Sequence, residues 1–298
     1  MKRYLLNLFF ILGLFSCDNP TGSDLEEWIA LFNGKDISDW TIKFANQDLN
    51  ANFQNTFRVQ NNMIRIAYDA YDTFDDAYAH LYYKTPYSYY KLRFDYRFTG
   101  EQVKGGEDWN VRNSGIMLHS QSAESNDYGQ FFPVSIEIQL LGGLGAEDRS
   151  TGNVCTPGTA LVMEGTTNYQ HCIDSKSKTY HGDQWVSAEV VVLGGESIFH
   201  LIENDTVLQY QSPQIGGGFT NPKMGDLDWT SRGIDESKAN WEQRAGEILT
   251  QGYIALQAES HPIDFRNIKL LDLCGCKDPK AKNYKSYFVK ADRSKCVY

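Results

Sequence analysis

A ten-residue run in which apolar and polar residues alternate constrains this chain more than any other feature. From Tyr89 to Phe98, the apolar residues Leu92, Phe94, Tyr96 and Phe98 alternate with Lys91, Arg93, Asp95 and Arg97. Successive side chains of a strand point to opposite faces, so a period of two predicts a half-buried strand. The apolar face of such a strand must be covered, which requires a second layer of structure.

Similar short runs recur from Trp28 onward, with turn residues between them. We expect further strands at residues 57–60, 63–66, 115–118, 134–141, 186–193, 197–203, 206–210, 253–257 and 263–271. Asn61-Asn62 and Asn204-Asp205 should form hairpin turns, since both residue types tolerate a positive φ. The best helix candidate runs from Asp235 to about Thr250, although Gly246 weakens it. Many strands and little helix predict an all-β protein, a two-sheet antiparallel β-sandwich.

The first 17 residues have the features of a bacterial lipoprotein signal. Two basic residues precede an apolar run to Phe15, which is shorter than the roughly 20 residues of a membrane-spanning helix. Leu14-Phe15-Ser16-Cys17 resembles a lipobox, in which the cysteine is acylated. A plain signal peptide with an incidental cysteine is the alternative. We expect residues 18–27 to be a tether and the protein to be held at the bacterial cell envelope, periplasmic or at the cell surface, by its lipid anchor only.

Charge and length limit the remaining choices. The formal net charge is −10 and no block of basic residues is present, which argues against nucleic acid as a partner. An all-β sandwich can reach 200–250 residues as one domain, so residues 28–273 are expected to form one domain and residues 274–298 a small tail. Aromatic residues make up 13% of the chain, which suits either sheet surfaces or stacking on sugars.

The cysteines fit an oxidising compartment. Cys155 and Cys172 flank a loop rich in Gly, Thr and Asn, and we expect a disulfide to close it. Cys276 and Cys296 bracket the terminal segment and form the second expected pair, although the sequence leaves open whether Cys274 or Cys276 is the unpaired cysteine. A zinc site is the competing interpretation of this cluster, but the two-pair CxxC spacing is missing.

Four motifs resemble one protein family in type and order. They are LeuPheAsnGlyLysAspIleSerAspTrp at 31–40, AsnSerGlyIleMetLeuHis at 113–119, SerIleGluIleGlnLeu at 135–140, and GlyTyrIleAlaLeuGln with AspPheArgAsnIleLys between 252 and 269. The set resembles the DUF1080 family, also called 3-keto-disaccharide hydrolases, over about residues 31–271. The resemblance implies a concanavalin A-like jelly roll with one concave sheet, and a carbohydrate substrate.

Glu137 is the first candidate for chemistry. Ile136 and Ile138 should face the core, so Glu137 and Gln139 share the opposite face of their strand. A carboxylate there is suited to act as a general base or to bind sugar hydroxyls. An ordinary solvent-facing strand residue is the alternative, and the Glu-x-Gln pattern of the family favours ligand contact.

Two residues of the second motif are also candidates. His119 should face the same side as Met117, and we expect it to act in catalysis with Glu137, although the family commonly has Arg at this place. A hydrogen-bonded sheet histidine is the alternative. Asn113 is expected to donate to substrate, while Arg112 is either a source of charge or, as we favour, a turn residue.

The last motif adds substrate-binding candidates by resemblance. Gln257 ends one expected strand, and Glu259 and His261 lie before the next, where the family has a polar loop with a nearby His; all three are expected to bind substrate. A polar hairpin loop with no ligand is the alternative. Trp109 is a candidate for stacking on a sugar, whereas Trp185 begins a strand and is expected in the core.

The resemblance implies cleavage of 3-keto glycosides by C2 proton abstraction, elimination and hydration. Such a reaction needs one base, an acid for the leaving oxygen, and donors for the enolate. An ordinary glycosidase needs two carboxyl groups, and here the second would have to be Glu259 or Asp264. No cofactor is expected, with a divalent cation left open, and a separate sugar 3-oxidoreductase is implied as the source of substrate. A non-catalytic, lectin-like envelope protein and a surface scaffold are the alternatives.

Overall fold

The alternating run at the centre of the sequence forms a strand of ten residues. In the computed structural model, which describes residues 25–218 and 229–298, strand β6 spans Tyr89–Phe98. Leu92, Phe94 and Phe98 are buried, whereas the polar residues between them are partly exposed. The expected signal peptide, Cys17 and most of the expected tether lie outside the described residues.

The described residues contain nineteen strands, one α-helix and several short 3-10 helices. The strands are β1 (Ile29–Ala30), β2 (Trp40–Phe44), β3 (Phe57–Gln60), β4 (Met63–Ile66), β5 (Ala79–Tyr83), β6 (Tyr89–Phe98), β7 (Asn113–Ser120), β8 (Ile136–Leu141), β9 (Asn153–Cys155), β10 (Thr159–Met163), β11 (Thr166–Asn168), β12 (Cys172–Ile173), β13 (Val186–Leu193), β14 (Ser197–Ile202), β15 (Asp205–Ile215), β16 (Tyr253–Ala258), β17 (Ile263–Asp272), β18 (Cys274–Gly275) and β19 (Lys290–Ala291). The helix α1 is Lys238–Gln243. The 3-10 helices are Phe53–Asn55, Asp108–Asn110, Ala123–Ser125, Thr230–Arg232 and Arg293–Lys295.

Two large sheets pack face to face, which confirms the predicted two-sheet antiparallel sandwich. The ten-stranded sheet has the order β11-β10-β15-β14-β13-β6-β17-β4-β3, with β1 also paired to β17. The seven-stranded sheet has the order β12-β9-β8-β7-β16-β5-β2. One core cluster joins them, with Phe94 and Phe265 from the first sheet and Ile116, Ile138 and Leu256 from the second. Burial of these apolar faces is the main force that holds the layers together.

Turn chemistry was predicted well at one hairpin and less well elsewhere. Asn61 and Asn62 have φ of 52° and 58° and join β3 to β4, as predicted. The second turn lies one residue earlier than predicted, at Glu203 and Asn204, because these two residues have the positive φ. The predicted helix was too long: it ends at Gln243, shortly before Gly246, which has a φ of 86°.

Both predicted disulfides are present. Cys155 is bonded to Cys172, and Cys276 to Cys296, which leaves Cys274 as the free cysteine among the described residues. The first disulfide joins β9 to β12 at the edge of the seven-stranded sheet. The second closes the terminal tail, whose strands β18 and β19 pair in parallel. Within the described ranges, no helix is both long and apolar enough to cross a membrane.

Candidate active site on the seven-stranded sheet

Glu137 lies on the face of the seven-stranded sheet that points away from the core. In β8 it alternates with Ile136 and Ile138, which are fully buried in the core. Its neighbours across the sheet are Met117 on β7 and Cys155 on β9. The strand therefore presents the carboxyl group on the side that the sequence predicted.

A glycine on the neighbouring strand makes room for this carboxyl group. Gly115 is paired with Gln139, two residues along the strands from the pair of Met117 with Glu137. A Cβ atom added to Gly115 would lie 2.7 Å from Cγ and 2.8 Å from Cδ of Glu137, and closer still to a carboxyl oxygen. Real Cβ atoms do not approach other atoms so closely, so the position of Glu137 depends on a glycine at 115.

The carboxyl group lines a cavity of about 390 Å³. The polar residues of this cavity are Asn113, Glu137, Gln139, Arg149, His171, Arg232 and Glu259. Trp109, Phe132 and the Cys155–Cys172 disulfide add apolar walls. We call this space the Glu137 cavity. A few polar groups within partly apolar walls are typical of small-molecule sites.

Both carboxyl groups of the cavity are removed from solvent. Glu137 is 6% exposed and Glu259 is 3% exposed. Burial raises the pKa of Glu137 to about 8. Burial also raises the pKa of Glu259 well above its ordinary value, and the nearby Glu137 raises it further. Because two close carboxylates repel each other, the pair retains a proton at a pH where an exposed pair would have none.

Two arginines bring positive charge to the same cavity. The Nη1 atom of Arg149 donates to the carbonyl oxygens of Val111 at 2.7 Å, Gly142 at 2.9 Å and Arg112 at 3.3 Å. These bonds fix the guanidinium beside the cavity. The Nε atom of Arg232 is buried without a hydrogen-bond partner. A buried donor of this kind gains most from an oxygen supplied by a ligand.

The amide side chains complete the polar wall. Asn113 Nδ2 donates to the backbone oxygen of Trp109 at 3.2 Å, while Asn113 Oδ1 is buried without a partner. Gln139 accepts a hydrogen bond from Asn153 at 3.2 Å. Each amide therefore has one end held by the protein and further bonding capacity for a ligand.

An exposed aromatic ring stands at the cavity. Trp109 is 48% exposed and lies parallel to Tyr78, with ring centroids 6.4 Å apart. Tyr78 in turn packs against Phe132 at 5.0 Å. The indole face is thus held by packing on one side while part of it stays accessible, as a platform for the apolar face of a sugar ring requires.

Buried amide contacts hold Phe132 over the sheet. Gln130 Nε2 donates to Gln121 Oε1 at 2.9 Å and to the backbone oxygen of Phe132 at 2.8 Å. Gln121 Oε1 also accepts from the backbone nitrogen of Val134 at 2.8 Å. The segment before β8 is therefore fixed by polar groups that the sequence alone did not connect with the site.

Four predicted site residues come together in the Glu137 cavity: Asn113, Glu137, Gln139 and Glu259. His119 does not join them, so the prediction that it faces the same side as Met117 was wrong. Its φ of 49° falls where the pairing of β7 with β16 shifts register, and this bulge reverses the alternation. The ring instead lies 2.9 Å from the backbone oxygen of Gly194, and it is 1% exposed.

Gln257 and His261 also lie outside the Glu137 cavity. Gln257 is 1% exposed, and the Ser114 hydroxyl donates to its backbone oxygen at 2.9 Å. His261 lines a different cavity. The resemblance implied that Gln257, Glu259 and His261 bind substrate together. Of these three residues, only Glu259 lines the Glu137 cavity.

Other polar residues considered from the sequence have structural roles. Asp264 accepts from Arg65 at 2.7 Å and from Arg97 at 2.6 Å on the ten-stranded sheet, so it does not supply a carboxylate to the Glu137 cavity. Arg112 has a φ of 47° and pairs with Asp183 at 2.7 Å, as expected of a turn residue.

One aromatic prediction was wrong. Trp185 does not enter the core, because its ring lies between the guanidinium groups of Arg97 and Arg266, at 4.6 and 3.8 Å. These contacts hold its ring among charged side chains of the ten-stranded sheet, and Trp185 is half-buried there.

Arg149 and Arg232 are the functional candidates that sequence reasoning missed. Both lie outside the long strands, in segments with no periodic pattern. His171 also lines the cavity, and burial and then Arg232 lower its pKa to about 4. No group of three His, Cys, Asp or Glu side chains suited to a metal ion occurs among residues 25–218 and 229–298.

The chain belongs to the family of 3-keto-α-glucoside-1,2-lyase-like domains, whose sequence model matches residues 27–271. No curated protein matches the chain.

Several solved structures are similar in fold. A candidate glycosyl hydrolase from Parabacteroides distasonis is 17% identical, with a TM-score of 0.47 over 82% of this chain and 98% of that one. A second one from the same organism is 19% identical, with a TM-score of 0.45 over 82% and 93%. A Bacillus subtilis protein of unknown function with a galectin-like fold is 10% identical, with a TM-score of 0.39 over 83% and 94%.

Proposed function

We propose that this protein cleaves 3-keto glycosides by elimination and hydration, with Glu137 as the base and Glu259 as the acid. The observation that supports this most is that two buried carboxyl groups line one cavity in a member of this family. Their raised pKa values allow one group to be ionised while the other keeps its proton. A pair in that state supplies the two groups that an elimination needs, a base for the C2 proton and an acid for the leaving oxygen.

The first step removes the proton at C2 of the keto sugar. The ketone at C3 acidifies this proton, and the Glu137 carboxylate takes it as the C2–H bond breaks. The electron pair forms an enolate with the C3 carbonyl. The bond from C1 to the leaving oxygen then breaks, a C1=C2 double bond forms, and that oxygen takes the proton of Glu259.

Hydration restores the pair. A water oxygen adds to C1 while Glu259, now a carboxylate, takes a proton from that water. The resulting enolate takes its C2 proton back from Glu137. The products are the free 3-keto sugar and the released alcohol, and each carboxyl group has returned to its starting state. No oxidant or reductant is consumed.

We assign the arginines and the amide side chains to stabilise the negative charge that develops on the enolate oxygen. Arg232 has a buried donor atom without a partner, and Arg149 is fixed by three carbonyl oxygens. Preorganised donors stabilise an enolate oxygen without reorganising during the reaction. Trp109 is assigned to the face of the sugar ring.

An ordinary glycosidase is the second candidate. It is favoured by the same pair, because Glu259 supplies the second carboxyl group that the strand of Glu137 lacks. The substrate distinguishes the two reactions. An ordinary glycosidase cleaves the unoxidised parent sugar, whereas elimination needs the ketone at C3.

The test measures product release by the full-length chain, purified in detergent, from a 3-keto disaccharide and from its unoxidised parent. We expect cleavage of the keto form alone, and a loss of roughly 100- to 10,000-fold in kcat for Glu137→Gln. Glu189→Gln, on the ten-stranded sheet, is the matched control and should keep full turnover.

Other outcomes would support a different function or a different base. Cleavage of the parent would replace elimination with ordinary hydrolysis. Sugar binding without turnover on either compound would support a lectin-like protein, and no response to sugars a surface scaffold. Full activity in Glu137→Gln would remove Glu137 from the mechanism.

The setting of this reaction is part of the proposal. We assign the protein to the bacterial cell envelope, with a lipid on Cys17 and without a spanning helix. A separate sugar 3-oxidoreductase would supply the ketone that the elimination needs. Mass spectrometry of the N-terminal peptide tests the anchor, because an unmodified Cys17 would exclude it.

A further inference from the structure

The C-terminal tail, residues 274–298, has the opposite charge to the rest of the chain. It contains six lysines and one arginine against two aspartates, a formal net charge of +5 in a chain whose total is −10. Residues 1–273 therefore carry −15. The basic residues of the tail are separated by other residue types, so they form no block in the sequence. A charge asymmetry of this size indicates that the basic part has an anionic partner.

Folding gathers these basic residues at one end of the sandwich. The tail follows β17 directly, and the Cys276–Cys296 disulfide joins residues near its two ends. The backbone nitrogen of Lys282 donates to the oxygen of Val297 at 2.8 Å, so the two halves of the tail lie side by side. We call the exposed cations of this unit the basic tail surface. They are Lys277, Lys280, Lys282, Lys290, Arg293 and Lys295.

Most of these cations are not neutralised by the protein. Among the described residues, Lys295 pairs with Asp272 at 3.2 Å, and the other five cations are in no ion pair. Lys282 donates to a backbone oxygen, and Lys290 lies 5.1 Å from the centre of the Tyr89 ring, but neither contact cancels a full charge. An exposed surface of this kind attracts anionic partners, and salt weakens the attraction.

Apolar groups stand among the same cations. Val289, Val297 and Tyr298 are 51%, 54% and 69% exposed. Tyr298 is held in place, because its hydroxyl donates to Asp278 at 2.8 Å. Basic side chains beside exposed aromatic and aliphatic groups are typical of surfaces that lie in the headgroup region of a membrane. A soluble polyanion would use the charges but not these apolar groups.

The N-terminal end of the described chain lies against the same tail. Glu27 forms an ion pair with Lys285, and Trp28 packs on the apolar cluster that the tail shares with the sandwich. Cys17, the proposed site of the lipid, precedes Leu25 by eight residues, which span at most about 28 Å. A lipid on Cys17 therefore keeps the basic tail surface close to the membrane.

The position of the tail also orients the Glu137 cavity. Glu259, in the wall of that cavity, lies just before β17 begins, whereas the tail starts where β17 ends. Ten residues of strand extend about 33 Å. Contact between the tail and a membrane would therefore hold this wall of the cavity away from the lipid. The negative charge of residues 1–273 favours the same orientation, because an anionic surface repels it.

We propose that the basic tail surface binds the anionic headgroups of the membrane that holds the lipid anchor. This assignment rests on the envelope location in the proposed function, and not on its chemistry. Lys277, Lys280 and Arg293 contact lipid phosphates, and Tyr298 lies at the level of the headgroups. The tail is then a second membrane contact beside the lipid, and it fixes how the sandwich stands on the surface.

The test uses the full-length chain in vesicles of phosphatidylcholine, with or without about 30% phosphatidylglycerol. A membrane-impermeant acetylating reagent modifies exposed lysines, and mass spectrometry measures each rate. Lys104, which is exposed near the far end of β17, is the internal reference. Relative to it, Lys277, Lys280 and Lys290 should react about tenfold more slowly when phosphatidylglycerol is present. The difference should disappear in about 1 M salt.

Charge reversal tests which residues make the contact. Lys280→Glu combined with Arg293→Glu should remove most of the protection of Lys277 and Lys290. Lys35→Glu combined with Lys176→Glu is the matched control, because it makes the same change in net charge at exposed residues outside the tail. This control should keep the protection.

Three results would overturn the proposal. The first is equal reaction rates on the two kinds of vesicle, and the second is protection that does not require phosphatidylglycerol. The third is protection by soluble dextran sulfate but not by vesicles, which would assign the tail to a polyanion. If Cys17 carries no lipid, the chain should still bind better to the vesicles with phosphatidylglycerol, and equal binding would count against the tail. None of these readouts depends on turnover, so the proposed reaction can fail without affecting them.

Discussion

The carboxyl group of Glu137 lies over the backbone of Gly115 on the next strand, where no larger residue fits beside it. This contact joins two of the sequence motifs, Asn-Ser-Gly at 113–115 and Glu-Ile-Gln at 137–139. The glycine is needed there for space and not for a positive φ. The carboxyl group is thus held in the cavity by the shape of the sheet itself.

Gly115→Ala is expected to displace this carboxyl group and lower kcat/KM on the 3-keto disaccharide by on the order of 100-fold, since small misplacements of a reacting group have effects of that size. Overpacking should also lower the free energy of unfolding by about 1–3 kcal/mol. Steady-state kinetics and urea unfolding measure the two effects.

A double variant is the control for this contact. In Glu137→Ala the crowded atoms are gone, so adding Gly115→Ala should cost much less stability than it does in the native chain. The two changes should therefore be non-additive by about 1–2 kcal/mol. Simple additivity would show that Gly115 does not act through Glu137.

The buried carboxyl groups should make stability fall as pH rises. Folded Glu137 keeps its proton up to about pH 8, whereas in the unfolded chain its pKa is near 4.5. Between these values the folded state binds more protons, so the free energy of unfolding declines with pH, by about 1.4 kcal/mol per unit for a fully protected group. Glu137→Gln removes this contribution. The variant should match the native chain near pH 4 and exceed its stability by roughly 4–5 kcal/mol at pH 8.

Urea unfolding of both chains at several pH values measures this difference. Titrating groups other than Glu259 affect the two chains alike, so the difference between the chains reports on the pair of Glu137 and Glu259. A constant difference between native chain and Glu137→Gln from pH 4 to pH 8 would mean that burial does not hold the proton on Glu137.

His119 should matter for stability and not for turnover. Its ring is bound to the Gly194 carbonyl, away from the Glu137 cavity. Asn tolerates the positive φ at this position but does not replace that hydrogen bond. His119→Asn is therefore expected to lose about 1–2 kcal/mol of unfolding free energy with kcat/KM unchanged. A large fall in kcat for a variant that remains folded would restore His119 to the catalytic group.

The wrong prediction for His119 also shows the limit of what sequence periodicity can predict. Strands β6 and β13 were predicted to the residue, because each has one buried face and an unbroken period of two. The same alternation placed Glu137 and Gln139 correctly. A bulge adds one residue to a strand without leaving a mark in the pattern, so every side chain beyond it is assigned to the wrong face.

The rest of the cavity could not be predicted for a different reason. Arg149 and Arg232 lie far apart in sequence, and their segments show no period that gives them a direction. Arg149 is placed by carbonyl oxygens of residues 111, 112 and 142, which only the folded chain brings together. The two arginines of the cavity come from segments outside the long strands, and their positions depend on tertiary contacts. Sequence patterns describe local structure and therefore do not predict them.

Trp109 is expected to contribute to substrate affinity more than to chemistry. Its half-exposed ring lines the cavity. We assign it to contact with the sugar and not to proton transfer, which belongs to the two carboxyl groups. Stacking of this kind contributes about 0.5–1.5 kcal/mol, so Trp109→Ala should raise KM by roughly threefold to tenfold while kcat changes little. Trp185→Ala, on the ten-stranded sheet, is the matched control. Equal effects of the two variants on KM would argue against stacking at Trp109.

The pH dependence of turnover tests the assignment of Glu137 as base. In the free enzyme the base must be ionised, so kcat/KM on the 3-keto disaccharide should rise with pH and show an apparent pKa of about 8. At still higher pH it should fall as Glu259 loses its proton, because the acid is then missing. The two limbs belong to the coupled pair and not to either residue alone.

Variants separate the two limbs of this profile. Glu137→Gln should abolish the rise near pH 8 in whatever activity remains, and Glu259→Gln should abolish the fall at high pH while leaving an ionisable base. With the like-charged neighbour removed, the remaining carboxyl group ionises more readily, so in Glu259→Gln the rise should move to lower pH. A native profile that rises near pH 4 to 5 would show that the base is an ordinary exposed carboxylate. In that case Glu137 and Glu259 would not be the catalytic base and acid, although both line the cavity.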